Sequence, residues 1–258
     1  MARQYLVGKG IFKKTFDEAY KLAKSGDTLL LSAGEYWLGN NFSLNGINVR
    51  GNGETSKEVV LNGLLHVSGV VHLENLTIST EKLDKPVGVL KASGKAQLTC
   101  DNCRFICTSK EYCAVYLIAD GSTKFENCEV RMGSHNYGLV TEKTTLTCQN
   151  CIIEGLIGKN KMVVTVDDTQ LSGLSRMESD AQLLGKHIYL DDNVTLVAKT
   201  GGQIHIDQLV LPTKVTYLKA NHGLIQIKTS NVDPAHRVFA QYDRQSTIEC
   251  EGAEKLPS

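Results

Sequence analysis

The sequence predicts an all-β protein, a single-stranded right-handed parallel β-helix of about seven or eight coils with an N-terminal capping helix. Three observations predict it. A six-residue pattern recurs without gaps around a fixed asparagine, its period is that of one solenoid coil with no helical stretch between copies, and a short helix signal precedes the first copy.

The clearest copies are Leu73-Glu-Asn-Leu-Thr-Ile78, Cys100-Asp-Asn-Cys-Arg-Phe105, Phe125-Glu-Asn-Cys-Glu-Val130 and Cys148-Gln-Asn-Cys-Ile-Ile153. Their asparagines, Asn75, Asn102, Asn127 and Asn150, are 27, 25 and 23 residues apart. Apolar residues fill the first, fourth and sixth places. Another usually stands two places earlier, as at Phe42, Val71, Leu98, Leu146 and Ile204. Alternation with period two marks a strand with one buried face. It runs up to the asparagine, slips by one residue there, and resumes. Such a slip is a one-residue bend, and Asn and Gly are the residues that tolerate the left-handed conformation it needs. On the same spacing Gly46, Gly173 and Gln208 occupy the asparagine place in weaker copies. Stacked asparagine side chains could hydrogen-bond along the column.

Ahead of the coils, Thr15-Phe-Asp-Glu18 is a capping-box pattern. Phe16, Ala19, Tyr20 and Ala23 then share one helical face, and Gly26 follows as a stop. A solenoid needs such a plug over its first coil. Beyond the clear copies, Val194–Val197, Val215–Leu218 and Leu224–Ile227 read as strands, and the polar tail from about Asn231 reads as a cover for the far end or a fraying terminus. The domain expectation is one β-helix over 1–258, with a cap at 1–28, coils at 29–230 and a C-terminal cap or tail at 231–258.

The helix followed by Gly26-Asp-Thr-Leu-Leu-Leu-Ser-Ala-Gly-Glu-Tyr36 resembles the opening segment of the pectin-lyase-like superfamily of β-helices. With the coil pattern, the resemblance extends over roughly residues 8 to 211. It implies the right-handed fold. It also implies that substrate lies along the strand and long loops after the post-asparagine strand. The superfamily's activity motifs are mostly missing. Asp167-Asp168 stands alone, His222-Gly223 lacks its partner pattern, and Asp233-Pro-Ala-His236 is only loosely similar to an epimerase segment.

Lys+Arg and Asp+Glu are both 28. This even balance argues against a nucleic-acid partner and removes overall attraction to a membrane, although a local patch of either sign stays open. The first residues carry no apolar leader and no run approaches a membrane span, so the chain as given reads as cytoplasmic. No cofactor is expected.

Two Cys-x-x-Cys pairs, Cys100/Cys103 and Cys148/Cys151, invite a zinc reading. The same columns hold Leu73 and Leu76, or Phe125 and Cys128, so they read instead as core columns. The place before the asparagine holds Glu74, Asp101 and Glu126, a weak candidate column for Ca²⁺, with a solvated strand face as the favoured alternative. The loops after the post-asparagine strands carry Tyr112, Arg131, His135 and Tyr137, and Lys91 and Tyr116 share a column on the strand beyond. Aromatic and basic groups along a groove suit an anionic polysaccharide, since rings stack on sugars and cations pair with carboxylates. Ordinary surface loops would carry the same residues, and that reading weighs more. The functional expectation is a carbohydrate-binding or scaffold β-helix recognising a polysaccharide or partner along its loop-lined edge. The alternatives are a polysaccharide lyase, glycoside hydrolase or epimerase with a non-standard site, and a phage- or surface-associated interaction protein.

Overall fold

The computed structural model describes residues 2–84, 88–132, 137–191, 193–211, 215–231 and 237–256; of Asn40 and Asn231 only the backbone is described. The fold is an all-β right-handed parallel β-solenoid with one N-terminal helix. It divides into two compact units, residues 1–136 and 137–258.

Each coil of the first unit passes through up to three strand series, and each series stacks in register on the coil before. Val70–Glu74, Gln97–Asp101 and Ser122–Glu126 form the first series. Thr77–Ser79, Arg104–Cys107 and Glu129–Met132 form the second. The end of Val59–Ser68, then Leu90–Ala92 and Val115–Leu117, form the third. The corner between the first two series is the asparagine bend. Asn75, Asn102 and Asn127 have φ of 53°, 49° and 53°, and Gly46 has 68°. Asn75 Nδ2 donates to the carbonyls of Gly51 and Gly53, and Asn102 Nδ2 donates to Asn75 Oδ1 at 2.8 Å. The next asparagine, Asn127, turns instead to Asp101 Oδ1 at 2.9 Å.

The core follows the repeat. Leu73, Cys100 and Phe125 share a register column and are buried, as are Leu76, Cys103 and Cys128. Phe105 and Phe125 stack at 5.3 Å with ring planes 15° apart. All eight cysteines are free thiols, and Cys148 and Cys151 are also buried.

The cap forms at Phe16–Leu22 with both bonds of the capping box: the Glu18 N–H donates to Thr15 Oγ1, and the Thr15 N–H donates to Glu18 Oε2. Phe16 and Tyr20 pack on Phe42, with ring centroids 5.1 and 4.5 Å apart. The helix closes at Ala23, earlier than expected; Gly26, at φ 90°, turns the chain toward Asp27.

In the second unit the coils shorten. Leu146 pairs with Val164 and Val164 with Leu183, steps of 18 and 19 residues. Here the corner residue differs from the expected one. Gln149 pairs with Asp167, so Asp168, at φ 46°, takes the place after Asn150, while Gly173 lies over Gly155 at the next corner. Gln208 makes no left-handed bend; Gln203–Val210 runs through as one strand. Coils this short have lost their long loops, so the chain makes more turns than the asparagine period implies. The stack continues beyond Asn231 with Arg237–Tyr242, Thr247–Glu249 and Glu254–Lys255, each in register on an earlier strand.

Candidate functional site: the outward face of the third strand series

In the first unit the third series brings four side chains into one column. Ser43 pairs with His66, His66 with Lys91, and Lys91 with Tyr116. Their neighbours Leu65 and Val67, Leu90 and Ala92, and Val115 and Leu117 are all buried, so alternation turns the three larger side chains outward. Successive rungs are about 4.8 Å apart, the parallel-strand spacing. Burial depresses the His66 pKa, and the Lys91 ammonium adds to the effect. The face therefore presents a neutral imidazole, an ammonium and a phenol in line.

The remaining sequence candidates lie elsewhere. Arg131 stands on the second series above Ile106, and its Nε contacts Glu129 Oε1 while Arg104 Nε holds Oε2 at 2.6 Å. Burial alone would raise the Glu129 pKa; the two guanidiniums outweigh it and lower it. Tyr112 is exposed on the loop between the second and third series, where its N–H donates to Ser109 Oγ. The loops before the third series do stack at their start: Thr108 bonds Thr80 through both its N–H and its hydroxyl. His135 lies outside the described residues, as do Asp233 and His236. His66 was missed in the sequence, although Leu65-His66-Val67 has the same alternation as Leu90-Lys91-Ala92.

Tyr137 belongs to the second unit. Arg176 lies over its ring, 5.2 Å from the centroid, and donates from Nη1 to its hydroxyl at 3.4 Å. Glu178, with only 14% of its side chain exposed, is ringed by Lys199 Nζ at 3.0 Å, Arg176 Nε at 3.2 Å and Lys159 Nζ at 3.9 Å. The Arg176 Nε–H is not aimed at that carboxylate and makes no hydrogen bond, so the contact is one of charge. Along the same series, Lys199, Lys219, Asn221, Gln241 and Tyr242 line a groove of about 400 Å³. Lys255 Nζ covers the Tyr242 ring at 4.2 Å.

The acidic column is in register, Glu74 beside Asp101 and Asp101 beside Glu126. Each carboxylate has its own partner: Arg50 and His72 at Glu74, the Asn127 amide at Asp101, and Lys124 at Glu126. Among the described residues a tighter donor group lies at the corner of the second unit, where ligand atoms of Asp167, Asp168 and His187 lie within 4.8 Å of one another. His187 Nδ1 is 3.1 Å from Asp167, and Lys186 Nζ is 3.7 Å from its other oxygen. Further along that corner Lys228 Nζ holds Asp207 at 2.7 Å. Asp167 and Asp207 are thus already matched by lysines.

Fold and face together define a parallel β-solenoid with an aromatic and cationic outer surface on its third strand series. No family model matches the chain, and no curated protein sequence matches it. Among solved structures the chain is similar to the pectate lyase Pel9A, at 12% identity and a TM-score of 0.44, over 98% of this chain and 78% of that one. It is also similar to an arginine variant of the PL6-family alginate lyase AlyGC, at 11% identity and a TM-score of 0.41, over 98% of this chain and 53% of that one. The chain thus spans about half the length of that lyase. Among the described residues no helix is long and apolar enough to cross a membrane.

Proposed function

We propose that the third strand series binds an anionic polysaccharide. The observation that carries this reading is the register column His66–Lys91–Tyr116. Lys91 can pair with a uronate carboxylate, and Tyr116 can offer its ring to a sugar face or its hydroxyl to a sugar oxygen. Rungs repeating along a strand face suit a repeating polymer better than a single small molecule. Arg176, Lys199 and Lys219 offer the same chemistry in the second unit.

The depressed pKa of His66 favours a second reading, eliminative cleavage of a uronate polymer. The neutral imidazole would take the proton from the carbon next to the carboxylate, while Lys91 held that carboxylate. The C–O bond to the leaving sugar would break as Tyr116 gave its proton to the departing oxygen, leaving a double bond in the product.

The test is calorimetric titration with polygalacturonate, alginate and neutral dextran, alongside a spectroscopic assay for the unsaturated product. Binding of either acidic polymer but not dextran is expected, weakened about tenfold or more by Lys91→Ala and Tyr116→Ala without a change in stability. Tyr116→Phe separates the readings: it should retain most binding yet abolish product release. Unchanged binding in Lys91→Ala and Tyr116→Ala would overturn the proposal.

A further inference from the structure

The N-terminal cap carries two apolar side chains that the solenoid does not use. Ile11 and Phe12 are 96% and 91% exposed, at the tip of the loop between Gln4–Val7 and the helix. The loop is closed by backbone bonds: the Gly8 N–H donates to the Lys14 carbonyl at 3.0 Å, the Lys14 N–H to Leu6 at 2.9 Å, and the Lys13 N–H to Gly10 at 3.2 Å. Lys13 Nζ also donates to Ser32 Oγ at 2.7 Å. The fold therefore holds the two apolar groups out in water instead of letting them collapse onto the nearby core. Leu6, to whose carbonyl the loop returns, is itself 45% exposed.

The charge around this tip is one-sided. Lys9, Lys13 and Lys14 flank it directly. The first 24 residues hold six Lys and Arg against two acids, although the two kinds are equal at 28 over the whole chain. The even total conceals a basic, apolar-tipped end on an otherwise acidic molecule.

We propose that this cap docks on an anionic lipid surface, Ile11 and Phe12 entering the headgroup boundary and the lysines pairing with lipid phosphates. Two large apolar groups beside clustered lysines match the two requirements of shallow interfacial binding, apolar insertion and attraction to anionic headgroups. A lysine's long stem also lets it lie along the boundary with its charge in water. An acidic protein would satisfy the lysines but gives no reason for two large apolar side chains held out in water.

The experiment is vesicle co-sedimentation of the full chain. It uses vesicles of phosphatidylcholine alone and of phosphatidylcholine with an equal amount of phosphatidylglycerol. Binding to the second kind only is expected, falling with added salt. Ile11→Ser with Phe12→Ser should reduce it about tenfold or more, and Lys9→Gln with Lys14→Gln should reduce it while leaving the apolar tip intact. Both pairs are on the surface, and an unchanged urea midpoint would show that the fold survives. Failure to bind the mixed vesicles, or binding indifferent to Ile11→Ser with Phe12→Ser, would overturn the proposal. So would a dimer by sedimentation that those two substitutions dissociate, because the tip would then serve a second copy of the chain.

Discussion

Asn102 donates its side-chain amide to Asn75 Oδ1 at 2.8 Å, joining two bends that lie 27 residues apart in the chain. Both residues are in the left-handed region, so each has a backbone reason and a side-chain reason to be asparagine. Asn102→Ala should cost about 2 kcal/mol, combining left-handed strain with a lost hydrogen bond. Asn102→Gly keeps the bend and loses only the bond, so its cost should be smaller. Urea unfolding of the two variants tests that order, and equal losses would mean that the bend itself contributes nothing.

Glu129 links pH to stability. Its folded pKa lies below the ordinary glutamate value because Arg104 and Arg131 outweigh the effect of burial. Its contribution is therefore present above about pH 4.3 and lost as pH falls through the folded value. Glu129→Gln should lower the urea midpoint at neutral pH and flatten its acid dependence. The cost at neutral pH should be about 1–2 kcal/mol, since the variant leaves Arg104 largely covered and without its carboxylate.

His66, although a base, changes stability in the same direction. The depressed pKa of His66 means that the unfolded chain binds the proton more readily. Its contribution to stability is therefore present above the ordinary histidine value, about 6.5, and lost as pH falls through the lower folded value. Acidic-polymer binding should move the other way, strengthening over that window as a second cation joins Lys91. In His66→Gln the binding rise should vanish, which titrations at a series of pH values would detect.

A buried hydroxyl offers a stabilising substitution. Thr123 is buried in the column of Leu98, and its Oγ1 has no hydrogen-bond partner. Thr123→Val has nearly the same shape and removes the cost of an unpaired polar atom, so thermal unfolding should show a gain of about 1 kcal/mol. A loss of that size would mean that the hydroxyl has a partner.

The thiols test the core assignment. Only Cys113 and Cys250 are partly exposed, and burial pushes the Cys250 thiol up; the other six cysteines are buried. A thiol reagent should label at most two cysteines of the native chain quickly and all eight in urea.

Alternation at Leu90-Lys91-Ala92 and Val115-Tyr116-Leu117 made the Lys91–Tyr116 column legible, because a strand's two faces are set by nearest neighbours alone. The asparagine corners were legible for the same local reason. His66 was missed because its strand, Val59–Ser68, carries no asparagine copy to set its register. Gly173 was misplaced because glycine accepts any corner, and hydrophobic spacing cannot say which one. The meeting of Tyr137 and Arg176, 39 residues apart, depends on coil lengths that shorten to 18 residues. Nothing local announces that shortening.

The corner charges of the second unit have a consequence for assembly of the stack. From coil to coil the sign alternates, with Asp167, Lys186, Asp207 and Lys228 in succession. Parallel strands with similar apolar alternation could pair equally well after a slip of one whole coil. Here such a slip would bring Asp167 against Asp207 and Lys186 against Lys228. Like charges side by side repel, so the alternating corner disfavours that slipped register.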